Sequence, residues 1–138
     1  MIERMRWMDI APVAVLDEKS FGNQAWSEEF FWSQMAVPGN RFWVARDGGR
    51  VLGYVGLSVS GPQGDILTLA SDRRGVGSRL LDVAMDAARE AGVEALYLDV
   101  RDDNERAIYL YASRGFEEIN RRAGYYSDAD ALIMRSSL

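Results

Sequence analysis

The fold is decided by the stretch from Asp99 to Phe116, which reads Asp-Val-Arg-Asp-Asp-Asn-Glu-Arg-Ala-Ile-Tyr-Leu-Tyr-Ala-Ser-Arg-Gly-Phe. This pattern predicts the end of a strand, a turn, and a short helix that begins at Asn104 and stops before Gly115. Asparagine is among the best helix N-caps. Asn104 and Tyr111 lie about two helical turns apart, so they share one face of that helix. A phenol there either belongs to the core or donates a proton to a leaving group.

A glycine-rich turn precedes the longest helix. Arg73-Arg74-Gly75-Val76-Gly77 follows a mostly apolar strand, Asp65 to Ala70, and opens a helix that extends to Ala91. These glycines either serve a tight strand-to-helix turn or leave main-chain N–H groups free to hold a pyrophosphate at the positive end of the helix. The turn is not a P-loop, because no Gly-Lys-Ser/Thr follows. It is not a dinucleotide fingerprint either, because Leu80 replaces the third glycine.

The rest of the chain supplies the other elements of one α/β domain over residues 1–138. Helices are predicted to follow Asp9, Ser27, Gly75 and Asn104. The predicted strands are 2–7, 41–46, 51–58, 65–70, 95–100, 116–120 and 131–135, in the order β-α-α-β-β-β-α-β-α-β-β. Residues Arg121 to Asp130 are predicted to form a loop between the last two strands.

Composition excludes several kinds of chemistry. The 138 residues include no cysteine and no histidine, so no thiolate nucleophile, disulfide or imidazole base is available, and no metal site is predicted. The net charge of −5 disfavours binding to nucleic acid and suits a basic partner. No apolar run approaches the ~20 residues that span a bilayer. The amino terminus lacks the apolar core of a secretory signal, so we expect a cytoplasmic protein without membrane contact.

Two stretches, Arg74 to Gly77 and Asn104 to Phe116, resemble the GCN5-related N-acetyltransferase (GNAT) superfamily. The predicted element order agrees with that family, and the resemblance covers nearly the whole chain. Within the superfamily the chain is most similar to the RimI-type ribosomal-protein-alanine N-acetyltransferases. This similarity rests on Ala25-Trp26-Ser27-Glu28, Leu98-Asp99-Val100-Arg101 and Arg121-Arg122-Ala123-Gly124-Tyr125-Tyr126.

The resemblance implies a GNAT fold: a mixed, mostly antiparallel sheet that is split at strands 4 and 5 and flanked by four helices. Acetyl-coenzyme A is then expected in the split, with main-chain groups holding its pantetheine arm and pyrophosphate. An N–H group of the fourth strand would polarise the thioester carbonyl, as in an oxyanion hole. The implied cofactor-binding residues are Leu67, Leu69, Ala70, Arg74, Gly75, Val76, Gly77, Ser78 and Asn104.

The same resemblance assigns catalytic and acceptor roles. Tyr111 matches the general acid that protonates the coenzyme A thiolate. Asp99 stands where RimI-type enzymes usually have a glutamate base, and it is either a shorter base acting through water or an exposed acid at a strand end. The acceptor α-amine has a reference pKa of about 7.7–8.0, so a modest base can suffice.

Four further residues are expected to border the acceptor site: Trp26, Ser27, Tyr125 and Tyr126. Ser27 is explained equally well as a helix cap. Tyr125 and Tyr126 either shape the acceptor pocket or pack a loop on the edge of the sheet.

The glycine turn departs from the family pattern, because it is several residues shorter than usual. Asp72 falls where the family has a polar glutamine or arginine, and a carboxylate beside a pyrophosphate would repel it. Either the Asp72 side chain points away, or cofactor affinity is reduced, or the turn follows a different path.

By resemblance the chain transfers acetyl directly, in a ternary complex, to a protein N-terminus. The implied acceptor is the alanine of the small-subunit ribosomal protein eighteen, and the enzyme is expected to be a monomer or weak dimer. One alternative keeps the fold and donor but uses a small-molecule amine or a lysine; Arg121-Arg122 with Tyr125-Tyr126 argues against it. Another is a non-catalytic acyl-coenzyme A-binding module, motivated by the missing glutamate and the short turn.

Overall fold

The computed structural model describes all residues from Met1 to Leu138 and has the predicted order of strands and helices. The strands are β1 (Ile2–Arg4), β2 (Asn40–Asp47), β3 (Arg50–Ser60), β4 (Gln63–Ser71), β5 (Ala95–Arg101), β6 (Glu117–Tyr126) and β7 (Ala129–Ser137). The helices are α1 (Ile10–Phe21), α2 (Glu28–Met35), α3 (Val76–Glu90) and α4 (Glu105–Ser113). No helix combines the length and the apolar character that crossing a membrane requires.

All seven strands form one sheet in the order β1-β2-β3-β4-β5-β7-β6. Every pair is antiparallel except β4 with β5, which run parallel and pair only along Gln63–Asp65 and Ala95–Tyr97. Beyond that point the facing edges of β4 and β5 carry main-chain N–H and C=O groups that no neighbouring strand satisfies. The predicted mixed sheet, split at strands 4 and 5, is thereby confirmed.

Two apolar clusters cover the sheet, and residues of β3 contribute to both. Leu52 and Val55 belong to the cluster that contains the buried side of α3, whereas Val51 and Tyr54 belong to the one that contains α1 and α2. Alternation sends the neighbours Val51 and Leu52, and likewise Tyr54 and Val55, to opposite faces. The register shift that leaves Leu52 unpaired with β2 explains why residues three apart share a face. Each fully buried leucine, such as Leu80 of α3, contributes roughly 1.5–3 kcal/mol. This packing holds the start of α3 against the end of β4.

The glycines of β3 mark a bulge and a close backbone contact. The register of β3 and β4 shifts after Gly56, so that Leu67 is an extra residue between the pairs formed by Thr68 and Ile66. At Gly53 an added Cβ would lie 2.8 Å from the carbonyl oxygen of Ala70. The bulge lies in the part of β4 that β5 has left.

The first strand is shorter than expected. It was predicted to extend from Ile2 to Trp7 but ends at Arg4, and residues Trp7–Asp9 form a 3-10 helix. The buried Asp9 carboxylate accepts hydrogen bonds from the Arg6 N–H at 2.8 Å and from Nη2 of Arg46 at 2.8 Å. The chain turns here because a buried carboxylate needs these donors, one of which comes from a distant strand.

The predicted loop from Arg121 to Asp130 is wrong for most of its length. Strand β6 continues to Tyr126 and β7 starts at Ala129, so only a tight turn separates them. The carboxylate of Asp130 accepts hydrogen bonds from the Gly124 N–H at 2.8 Å and from Nη1 of Arg121 at 3.0 Å. Cross-strand contacts of polar residues therefore form this hairpin, and the local apolar pattern does not reveal them.

Candidate active site

A cavity of about 590 Å³ lies where β4 ends and α3 begins, and α4 and the end of α1 complete it. It brings together residues that are far apart in the chain. The predicted site residues that line it are Leu69, Ala70, Arg74, Gly75, Gly77, Ser78, Asn104 and Tyr111. The predicted residues Leu67 and Val76 do not line it. The Leu67 side chain packs against the cluster that contains α1 and α2, and Val76 is a buried residue of α3.

The turn that enters α3 offers several free donors to this cavity. The main-chain N–H groups of Arg74, Gly75, Gly77 and Ser78 have no acceptor within the protein, whereas the N–H of Val76 donates to the carbonyl oxygen of Arg73 at 3.2 Å. Gly75 adopts a φ of 85°, a backbone conformation that side-chain-bearing residues rarely adopt. Free amides at the positive end of a helix form an anion-binding site. Val76 is the exception, since its donor is already used.

The charge of the cavity is positive although the protein is acidic overall. Its lining includes Arg74, Arg106 and Arg114 and no aspartate or glutamate. Arg114 is compensated by Asp82, whose carboxylate lies 2.7 Å from Nε, whereas Arg74 and Arg106 form no ion pair. The cavity therefore suits a ligand that carries several negative charges.

The side chain of Asp72 is directed away from the cavity. Its carboxylate lies 3.4 Å from Nη2 of Arg50, the first residue of β3, and its main-chain N–H donates to the carbonyl oxygen of Leu52 at 3.0 Å. The sequence left three outcomes open for Asp72, and the geometry agrees with the one in which its side chain points away from the pyrophosphate site. The shortened turn thus does not place a carboxylate among the free amides.

Asn104 combines its structural role with a free donor. Its Oδ1 accepts a hydrogen bond from the Ala107 N–H at 3.2 Å, so it caps α4 as predicted. Its side-chain amide nitrogen has no hydrogen-bond partner in the protein, and the residue borders the cavity. The cap and the proposed ligand contact use different atoms, so they are compatible.

Tyr111 is a buried phenol at the cavity wall. Its ring packs edge-on against Phe116 with 5.7 Å between the centroids, and only 7% of the residue is exposed. Burial raises the pKa of Tyr111, and Tyr126 raises it further. The phenol is therefore protonated at neutral pH, which is the form that a general acid requires.

Asp99 lies on β5, outside the lining of the cavity and at an exposed position. Its nearest cation is Arg122, with 3.9 Å between carboxylate and guanidinium atoms. Burial raises the pKa of Tyr126, and the negative charge of Asp99 adds to this effect. Partial desolvation and the charge of Asp99 likewise raise the pKa of Asp65 on β4. The structure thus brings Asp99 near Tyr126, and Tyr126 in turn lies close enough to Tyr111 to raise the pKa of that phenol.

Trp26 and Ser27 border a second, smaller cavity beside the end of α1. Ser27 is the N-cap of α2, because its Oγ accepts a hydrogen bond from the Phe30 N–H at 3.1 Å. The Trp26 ring contacts Phe31, with 5.0 Å between the centroids. The cap is confirmed, and the acceptor role of both residues stays a prediction.

Tyr125 and Tyr126 lie at the turn end of the β6–β7 hairpin and line neither cavity. Their rings contact each other edge-on at 5.1 Å. The guanidinium of Arg101 lies 5.2 Å from the Tyr126 ring, and that of Arg122 lies 5.5 Å from the Tyr125 ring. These contacts hold both phenols on the side of the sheet that carries Asp99.

Several residues of the cavity were not found from the sequence. They come from the face of α4, from the end of α1 and from the end of β4: Arg106, Ala107, Tyr109, Leu110, Ser113, Arg114, Ser20, Phe21 and Ser71. Ala107 and Arg114 continue the three-to-four-residue spacing of Asn104 and Tyr111, so extending that spacing would have found them. The other α4 members lie off this stripe, and the spacing does not predict them. The sequence carries no local signal that the end of α1 reaches this cavity.

The family model described as acetyltransferase (GNAT) family matches residues 7–116. The chain belongs to the acetyltransferase (GNAT) family, and it is an N-acetyltransferase. Acetyl-coenzyme A is the acetyl donor of this family.

Similarity to known proteins places the chain among the RimI-type enzymes of this acetyltransferase family. The chain is 38% identical to the N-alpha-acetyltransferase RimI of Mycobacterium tuberculosis (strain ATCC 25618 / H37Rv), over 92% of this chain and 85% of that protein. It is 32% identical to the ribosomal protein bS18-alanine N-acetyltransferase of Escherichia coli (strain K12), over 79% of this chain and 78% of that one. The crystal structure of the ribosomal-protein-S18-alanine N-acetyltransferase from Escherichia coli superposes with a TM-score of 0.89 at 27% identity, covering 99% and 92% of the two chains. The suspected resemblance to RimI-type enzymes is confirmed.

Proposed function

We propose that this enzyme transfers the acetyl group of acetyl-coenzyme A to the N-terminal α-amine of a protein. The proposed acceptor is an N-terminal alanine, as in the ribosomal protein named for the Escherichia coli relatives. Transfer is direct, in a ternary complex, which suits a chain without cysteine or histidine.

The observation that carries the proposal is the composition of the larger cavity. Four free main-chain amides and two unpaired arginines face a space without acidic side chains, and a buried phenol forms part of its wall. A diphosphate satisfies the amides and the arginines. Leu69, Ala70 and the unpaired edge of β4 then provide main-chain hydrogen bonds along the pantetheine arm.

The acceptor nitrogen must lose two protons in turn and the departing thiolate must gain one, and Asp99 and Tyr111 are proposed to serve these transfers. The acceptor ammonium loses a proton, through water, to Asp99, and the neutral amine attacks the thioester carbonyl carbon. The carbon–sulfur bond breaks, and the departing thiolate takes a proton from Tyr111. The attacking nitrogen loses its second proton as it becomes the amide, and this proton passes through water to restore the Tyr111 phenol. The raised pKa of Tyr111 is consistent with this role because the phenol remains protonated until the thiolate forms.

The acceptor is proposed to approach from the side of the sheet that carries Asp99. Trp26 and Ser27 border this approach on one side, and Tyr125 and Tyr126 on the other. Acidic groups there, Asp65 and Asp99, favour a positively charged N-terminus over a neutral one.

Three broader features remain proposals. We propose that residues 1–138 act as one catalytic domain, that the enzyme works as a monomer or weak dimer, and that it acts in the cytoplasm, where ribosomal proteins are made. Nucleic acid is not proposed as a partner, because the net charge is −5.

Mass spectrometry of peptides incubated with the enzyme and acetyl-coenzyme A tests the function. A peptide that starts with alanine and copies the ribosomal protein should gain one acetyl group at its α-amine. The same peptide with a blocked N-terminus and an internal lysine should remain unmodified. Acetylation of polyamines or lysine instead of the α-amine would contradict the proposed acceptor.

A further inference from the structure

One deeply buried carboxylate, that of Asp17, has no part in the proposed reaction, although it links helix α1 to the sheet. Asp17 lies in α1 with only 1% of its surface exposed. One carboxylate oxygen accepts a hydrogen bond from the Trp26 N–H at 2.7 Å. The other accepts from the Tyr54 hydroxyl and, at 3.5 Å, from that of Thr68. The carboxylate therefore joins the segment between α1 and α2 to β3 and β4.

The bond to Asp17 is the only hydrogen bond that Trp26 makes. Its ring rests on Phe31, and that ring in turn contacts Tyr54 edge-on at 6.0 Å between the centroids. Ser27, the next residue, is the cap of α2. The position of the Trp26–Ser27 main chain relative to the sheet is thus set by one buried carboxylate and by ring packing.

On the sheet side, Asp17 contacts β4 at its irregular part. Thr68 follows Leu67, the extra residue of the bulge, and both lie beyond the last residue that pairs with β5. This is the part of β4 beside which the thioester is proposed to lie. Asp17 consequently spans the distance between the segment expected to border the acceptor and the strand expected to hold the donor.

We propose that Asp17 is a positioning residue of the acceptor site, which holds Trp26 and Ser27 at a set distance from the split in the sheet. The proposal rests on the proposed function for its effect on the reaction. It does not make Asp17 a catalytic residue, because its oxygens are occupied by Trp26, Tyr54 and Thr68 and are shielded from solvent. Its role is geometric, so a side chain of the same shape should replace it.

Asparagine provides that matched replacement. In Asp17→Asn the amide oxygen can accept from the Trp26 N–H, and the amide nitrogen can donate to the hydroxyl oxygen of Tyr54 or Thr68. Asp17→Ala removes every one of these bonds. Tyr54→Phe leaves the hydrogen bond between Asp17 and Trp26 and the ring packing intact, but removes the hydrogen bond from the Tyr54 hydroxyl to Asp17. This variant replaces Asp17→Ala in the test if the alanine variant does not fold.

Two measurements test the proposal, and one of them does not depend on activity. The first is the hydrogen-exchange rate of the Trp26 amide, which should be at least about tenfold faster in Asp17→Ala than in the wild type and nearly unchanged in Asp17→Asn. The second is steady-state kinetics with the alanine-started peptide. The KM for peptide should rise about tenfold or more in Asp17→Ala and about threefold or more in Tyr54→Phe, with the KM for acetyl-coenzyme A within about threefold of wild type. Asp86→Ala, which removes an exposed helical aspartate, is the control and should change neither measurement.

The outcomes separate the two proposals. If the wild type binds acetyl-coenzyme A but acetylates no peptide N-terminus, the proposed function is wrong, and amide exchange alone decides the role of Asp17. A folded Asp17→Ala variant with an unchanged Trp26 exchange rate or an unchanged peptide KM overturns the positioning role. So does a large loss of kcat in Asp17→Asn with normal KM values, because that result would mean the charge itself takes part.

Discussion

Gly53 is the position at which one added methyl group tests how the sheet supports the cavity. In β3 it is paired with Ser71, the last residue of β4, and Leu80 of α3 lies above it. A Cβ at this position would lie 2.8 Å from the Ala70 carbonyl oxygen, 2.9 Å from the Ser71 Cβ and 3.0 Å from the Leu80 Cδ1. We therefore expect Gly53→Ala to separate α3 from the end of β4.

The magnitude follows from these contacts. Overpacking a well-filled core costs about 1–3 kcal/mol. In the opposite direction, replacing glycine where the backbone permits alanine stabilises by about 0.4–1 kcal/mol, because the unfolded chain loses freedom. Gly49 provides the matched control in the preceding turn, since an added Cβ there meets nothing within 4 Å and its φ is not positive. The difference between Gly53→Ala and Gly49→Ala should therefore be about 1.5–4 kcal/mol.

Thermal unfolding and ligand titration measure both consequences. One kcal/mol shifts Tm by about 3–4 °C in a chain of this length, so the Tm of Gly53→Ala should lie about 5–15 °C below that of Gly49→Ala. If about 1 kcal/mol of the strain is relieved by moving Ala70 and Ser71, the affinity for acetyl-coenzyme A falls about fivefold. Equal Tm values for the two variants would refute the close packing of α3 on this part of the sheet.

Three further results are expected. Tyr111→Phe should lower kcat by about 10²–10⁴-fold with little change in either KM, and unchanged kcat would exclude the phenol as the acid. Arg106→Gln should weaken acetyl-coenzyme A binding about three- to sixfold at low salt, since an exposed charge at 4 Å contributes about 1 kcal/mol in water. Calorimetry measures this effect, with Arg89→Gln outside the cavity as control. Burial raises the pKa of Asp17, so the folded protein binds its proton more tightly than the unfolded chain. The free energy of unfolding of wild type relative to Asp17→Asn should therefore fall as pH rises from about 4 through the raised value, and an opposite slope in denaturant titrations would contradict this sign.

Much of the fold could be predicted because it is encoded locally. Ser27 and Asn104 are followed by helices, and each accepts the hydrogen bond expected of an N-cap. Gly92 follows the end of α3 with a φ of 85°, a conformation that glycine adopts readily at the end of a helix. These features depend on hydrogen bonds within a few residues of sequence, so the order of elements follows without knowledge of the tertiary structure.

The wrong predictions of secondary structure lie where contacts with residues distant in sequence determine the backbone conformation. The β6–β7 hairpin was predicted as a loop, because its polar residues lack apolar alternation; the cross-strand bonds of Asp130 hold it instead. The first strand stops early because Arg46, from β2, helps to satisfy the buried Asp9. Such partners are brought together only by folding.

For the candidate site, the sequence by itself determined the residue types: glycines that open α3, an asparagine that caps α4, and a tyrosine two turns later. Only the tertiary structure decided which groups are free and where they face. In the folded protein the Asp72 carboxylate lies near Arg50, and the Val76 N–H donates a hydrogen bond within the turn. Asp17 is buried between α1 and the sheet. The physical reason is range: a cap or a turn is settled by neighbours along the chain, whereas burial, charge pairing and unsatisfied hydrogen-bond donors depend on what packs against each group from elsewhere.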